Sequence, residues 1–112
     1  MTPAETISFR YGGIGRIQES AIAMTLDLTV NIWQEGNQYI AHALPLDVMS
    51  SGPTPEAARR AVDEAVQCFL RTAADMGTVD QVLEECGFER RNGAWVSPNW
   101  ISVERHAIAV TG

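Results

Sequence analysis

From Leu26 onward the chain alternates strictly, with Leu26, Leu28, Val30 and Ile32 on one side and Asp27, Thr29, Asn31 and Trp33 on the other. A period of two is that of a half-buried strand, here over residues 26–33. Glu35-Gly36-Asn37-Gln38 supplies turn residues, and Tyr39-Ile40-Ala41-His42-Ala43 reads as the returning strand of a hairpin. Pro45 then marks a bend, because proline donates nothing to a ladder. A third short strand is expected over residues 47–50, ahead of a Gly52-Pro53 turn.

The period changes after that turn. Ala58, Ala61, Val62, Ala65, Val66, Phe69, Leu70 and Ala73 recur in steps of three and one, the spacing of one buried helical stripe. Thr54 is placed to cap this helix, Pro55 fits its first turn and Gly77 ends it, giving a helix over 55–76. Its other face carries Arg59, Arg60, Asp63, Glu64, Gln67 and Arg71, with Glu56–Arg60, Arg59–Asp63 and Arg60–Glu64 spaced for pairing.

Thr78-Val79-Asp80-Gln81 fits a capping box opening a second, short helix that Gly87 ends, with Phe88 folding back over Leu83. Arg90-Arg91-Asn92-Gly93 is a turn between short extended pieces carrying Phe88 and Trp95, and residues 100–110 form a last strand after the Pro98-Asn99 break. The class expected is α+β: a small antiparallel sheet packed by one long helix in the order β-β-β-α, then a short helix and C-terminal strands. Residues 1–23 lack clear periodicity and read as a flexible leader, with a short strand at 7–11 as an option and Met24 as an alternative start. Residues 24–112 make the domain.

Composition narrows the classes of function. The chain has 112 residues, 46% of them apolar and 20% charged, which fits one globular domain with one core. A formal net charge of −6 opposes binding to a nucleic-acid backbone, which needs a basic face, and suits a basic partner. Cys68 and Cys86 have no close-spaced companion, so packed, reduced thiols in a cytoplasmic protein are expected. No apolar run is long enough for a membrane helix.

Candidate chemistry is sparse. The glycines of Tyr11-Gly12-Gly13-Ile14-Gly15-Arg16 lack the spacing and context of a phosphate loop. His42 and His106 have no second ligand at metal-binding spacing. Ser50-Ser51-Gly52 reads as a polar turn rather than a nucleophile elbow. Asp27, Glu35 and Asp47 come from neighbouring strands, and a metal-dependent nuclease using Asp27 and Asp47 is the rival enzyme reading. No metal or other cofactor is expected. Trp33 falls on the polar side of its strand and, with Tyr39, is a candidate anchor for a partner.

Tyr39-Ile40-Ala41, Leu44-Pro45-Leu46-Asp47, and Ser51-Gly52-Pro53-Thr54-Pro55-Glu56-Ala57-Ala58, followed by Ala61 and Glu64-Ala65-Val66, resemble the HicB antitoxin family. The resemblance covers residues 26–73 well and 78–110 loosely. Its most specific part is Gly52-x-Thr54-x-Glu56-Ala57 downstream of Tyr39-x-Ala41. Pro53 stands where the family usually has an acidic residue, Ala57 where a second glutamate is common, and Ala43 where cysteine or another small residue precedes the bend. The resemblance implies a partial ribonuclease-H-like fold without the nuclease's acids. It also implies an antitoxin that occludes a small basic mRNA-cleaving toxin, HicA-like; for such a partner Trp33 and Tyr39, projecting from the hairpin, are the candidate anchors, and the helix-surface acids Asp63 and Glu64 a steering rim. Many members carry a C-terminal DNA-binding segment; after Gly77 this chain has only a short helix and strands, so operator binding is not expected. An orphan HicB-like adaptor or dimerisation module without a toxin is the alternative, and self-association stays open.

Overall fold

The computed structural model describes residues 24–112; the expected leader and the optional strand at 7–11 lie outside them. Three antiparallel strands, β1 (Thr29–Glu35), β2 (Gln38–Leu44) and β3 (Val48–Gly52), form a sheet in that order. Two helices follow, α1 (Pro55–Met76) and α2 (Val79–Glu85), then a hairpin of β4 (Glu89–Arg91) and β5 (Ala94–Val96). The fold is α+β, with a long helix covering one face of the sheet. β1 starts three residues later than the alternation, although Leu26 and Leu28 still pack against the core. β3 runs to Gly52 rather than ending at Ser50.

Period-two alternation sets the two faces of the sheet. Ala41 and Ala43 of β2 are fully buried under α1. Their small side chains let the helix come close, where Ala58, Val62, Val66, Leu70 and Ala73 meet them. The junction is tighter still at Gly52, where a Cβ would stand 2.8 Å from Ala57 Cβ and 2.9 Å from backbone atoms of Ala57 and Ala58. Only glycine lets β3 run this close to the first turn of α1. Between β2 and β3 the Leu44-Pro45 peptide is cis, Leu46 is buried, and Asp47 takes a left-handed φ of 65° while donating its N–H to the Ala43 carbonyl.

The caps of α1 follow the sequence. Thr54 is extended, and its Oγ1 accepts from the Ala57 N–H at 3.0 Å. At the other end Gly77 is left-handed, and Thr78 and Gly77 donate to the carbonyls of Ala73 and Ala74, the paired bonds of a Schellman close. The same motif ends α2, with Phe88 donating to Leu83 and Gly87 to Glu84, and it carries Phe88 into the core beside Leu83.

Four expectations need correction. Thr78 makes no capping box: its hydroxyl donates back to the Ala73 carbonyl, and Gln81 bonds forward to Glu85. Because Thr78 also serves the close of α1, its side chain is spent there. Phe69 is not part of the buried stripe and stands 37% exposed on its flank, because Val66, Leu70 and Ala73 occupy the line facing the sheet. Cys68 is exposed rather than packed, whereas Cys86 is half-buried, and its surroundings, with Glu85 and Asp47 adding to the effect of burial, push its thiol pKa up. Finally, residues 97–112 belong to no strand: the sheet ends at β3, and the segment expected to pair runs out exposed.

The α2 end is tied to the β4–β5 hairpin by a short polar chain. Arg90 stacks over the Trp95 ring at 4.8 Å and reaches Asp80 at 3.7 Å. Asn92 and Gly93, both at positive φ, make the two-residue turn.

Candidate functional site

The face of the sheet away from α1 has no covering layer among the described residues. With Ala41 and Ala43 turned toward the helix, Ile40, His42 and Leu44 must point the other way. The register then sets Trp33 across from Ile40, and Asn31 and Met49 on either side of His42. Trp33 is 38% and Met49 55% exposed, on the two outer strands that flank β2. An open depression of about 320 Å³ lies between them, lined by Trp33, Glu35, Ile40, Met49, Ser50 and Ser51.

Polar contacts fix the orientation of this patch. Trp33 donates its indole N–H to Glu35 Oε2 at 2.8 Å and meets the His42 ring edge-on, with centroids 6.2 Å apart. His42 Nε2 in turn lies 2.5 Å from Asp47 Oδ1. The result is an apolar centre of Trp33, Ile40 and Met49 with carboxylates at two margins. Such a surface suits contact with a partner that is basic at its rim and apolar at its middle.

The four residues proposed for partner contact do not form one surface. Trp33 is on the open face, on the outer strand β1. Tyr39 is its diagonal neighbour in the hairpin but has opposite parity, so it lies on the helix side, half-buried against the core. Asp63 and Glu64 are exposed on the outer side of α1, on the opposite side of the molecule from Trp33. Ile40 and Met49 were not singled out by sequence. Pairing about the Gly36-Asn37 turn would have placed Ile40 beside Trp33, but Met49 needed the length of the bend at Pro45.

Asp27 precedes β1, Glu35 ends it and Asp47 sits in the turn beyond β2, so the strands spread the three carboxylates along the sheet. Among the described residues no three His, Cys, Asp or Glu side chains come together so as to hold a metal ion. His106 contacts Glu104 in the C-terminal segment and is not near another candidate ligand set. Ser50 and Ser51 lie in β3 rather than in a turn.

No protein-family model matches the chain, and comparisons with curated proteins and with solved structures find no significant match either. Among the described residues no helix is long and apolar enough to cross a membrane.

Proposed function

We propose that this chain is an antitoxin-like binding protein of the HicB type, which silences a small basic RNA-cleaving partner by covering its working surface. The observation that carries the reading is where the family-like residues fall. Gly52, Thr54, Glu56 and Ala57 are the junction of β3 and α1: Gly52 permits the close approach, and Thr54 caps the helix. A motif with this role, in a β-β-β-α order, supports a partial ribonuclease-H-like fold in which the open sheet face is left for a partner.

On this reading the affinity comes from Trp33, Ile40 and Met49, and the net charge of −6 speeds encounter with a basic toxin. Tyr39 acts indirectly by fixing the hairpin, and Asp63 and Glu64 belong to the general acidic field rather than to the contact. The chain supplies no catalytic group to the interaction; it works by occlusion.

The test is co-expression with a candidate toxin, a short basic protein encoded next to this chain. That partner alone should arrest growth and degrade mRNA, and adding this chain should restore growth and yield a complex. Trp33→Ala with Met49→Ala should weaken the complex at least tenfold while leaving unfolding nearly unchanged. If the two proteins do not co-purify and growth is the same with either or both, the antitoxin reading fails.

A further inference from the structure

After β5 the chain passes Ser97-Pro98-Asn99 and continues through Trp100-Ile101-Ser102-Val103-Glu104-Arg105-His106-Ala107-Ile108-Ala109-Val110 with no glycine or proline. This segment is in neither helix nor strand, yet its side-chain contacts run between residues two apart. Ser102 Oγ donates to Glu104, and His106 Nε2 lies 2.8 Å from the same carboxylate. Contacts at i and i+2 put 102, 104 and 106 on one face of an extended chain, leaving Ile101 and Val103 together on the other. Ile101 is 91% exposed and Val103 70% exposed. An extended β-rich segment with unpaired backbone and uncovered aliphatic side chains is a strand without a sheet.

The sheet of the same molecule has the complementary defect. β1 is an edge strand, and its outer row of backbone groups pairs with no other described strand. It carries no proline or lysine, the residues that commonly protect a free edge. The helix lies mainly over β2 and β3. Val30, on the helix-side face of β1, is therefore left 37% exposed, with Ile32 two residues on.

We propose that the segment at residues 100–104 of one molecule adds as a fourth strand along β1 of a second copy of this chain, reciprocally, in a two-fold dimer. Parity makes the match. With Ile101 and Val103 on the helix side they lie beside Val30 and Ile32, and Ser102 and Glu104 then fall beside the polar Thr29 and Asn31 of the open face. Backbone hydrogen bonds supply a sequence-tolerant base, and the aliphatic pairs set the register. In the antiparallel register that sets Val103 beside Val30 and Ile101 beside Ile32, residues 100–104 run beside Trp33 to Thr29 of β1. A second copy is favoured over an unrelated partner because the donor strand and the bare acceptor edge are both present in this one chain. In this register Trp100 falls beside Trp33 on the open face while Ile40 and Met49 stay uncovered, so the dimer borders the surface of the toxin-binding reading and is tested by self-association rather than by co-expression.

The full chain should sediment as a dimer at micromolar concentrations, and Ile101→Asp with Val103→Asp should make it monomeric with an unchanged far-ultraviolet spectrum. Intermolecular addition is tested by mixing Val30→Cys chains with Val103→Cys chains, both carrying Cys68→Ser and Cys86→Ser. Disulfide-linked pairs should form in the mixture and not in either variant alone. A full chain that stays monomeric into the hundreds of micromolar overturns the proposal. So does a dimer that survives the double aspartate change. A Val30→Cys/Val103→Cys chain that closes only on itself overturns it as well, by showing that the tail returns to its own sheet.

Discussion

Replacing Gly52 by alanine isolates the contact on which the β3–α1 junction depends. The added Cβ would stand 2.8 Å from Ala57 Cβ, 2.9 Å from the Ala57 carbonyl carbon and 2.9 Å from the Ala58 nitrogen. Two of these three atoms are backbone in the first turn of a capped helix, so no side-chain rotation relieves the clash. Either β3 or the start of α1 must move by several tenths of an ångström, and overpacking of this kind costs about 1–3 kcal/mol. Alanine also reduces the freedom of the unfolded chain, which offsets about 0.4–1 kcal/mol. The net loss expected is about 1–2 kcal/mol, on a domain whose total stability is of the order of 5–15 kcal/mol. The midpoint of thermal unfolding should fall by about 5–15 °C for a chain of this size. Urea unfolding followed by far-ultraviolet circular dichroism gives the free energy directly. Ala57→Gly in the same background should recover only part of the loss, because the backbone atoms remain where they were. A Gly52→Ala protein as stable as the parent would refute the steric account of the junction.

Thr54→Ala should cost about 1 kcal/mol by removing the acceptor for the Ala57 N–H, while Thr54→Ser should be nearly neutral; equal losses from both would dismiss the cap. Leu70→Ala should cost about 2–5 kcal/mol because that side chain is almost wholly buried, and Phe69→Ala clearly less despite the larger ring removed. Equilibrium denaturation of the pair decides it, and a reversed order would place Phe69 in the core. With a disulfide reagent near pH 8, Cys68 should react well before Cys86, whose raised thiol pKa leaves it less thiolate at that pH and whose burial limits access. Simultaneous labelling, or Cys86 first, would contradict that environment.

Most of the domain between residues 26 and 88 was legible because its signals are local and agree with one another. The alternation through Leu28, Val30 and Ile32, the Thr54 cap, the alanine-rich stripe and the two glycine closes each specify an element and its end. The errors fall where two elements compete for one group or where packing must choose among apolar residues. Thr78 had the right spacing for a capping box, but its hydroxyl is claimed by the carbonyl of Ala73 in the preceding helix. Phe69 had the right period, yet the line of contact is narrow enough to be filled by Val66, Leu70 and Ala73. Residues 100–110 have strand composition, but no described strand pairs with them, and composition alone does not make a ladder.

Trp33 and Tyr39 show why the proposed partner surface was only half readable. They are six residues apart across a hairpin, and both are aromatic near its tip, so sequence made them look like a pair. The register pairs Trp33 with Ile40 and Gln34 with Tyr39, so a single residue of offset sends the two rings to opposite faces. That division assigns different work to each. Tyr39, packed against the core with Gly52 directly opposite it on β3, helps fix the strand that leads into α1. Trp33, braced by Glu35 and edge-on to His42, is left to meet whatever covers the open face. Loss of Tyr39 should therefore be felt in stability first and in binding only through it, whereas loss of Trp33 should be felt in binding with the fold intact. The two substitutions, measured for unfolding and for complex formation side by side, separate the proposed partner surface from the hairpin that presents it.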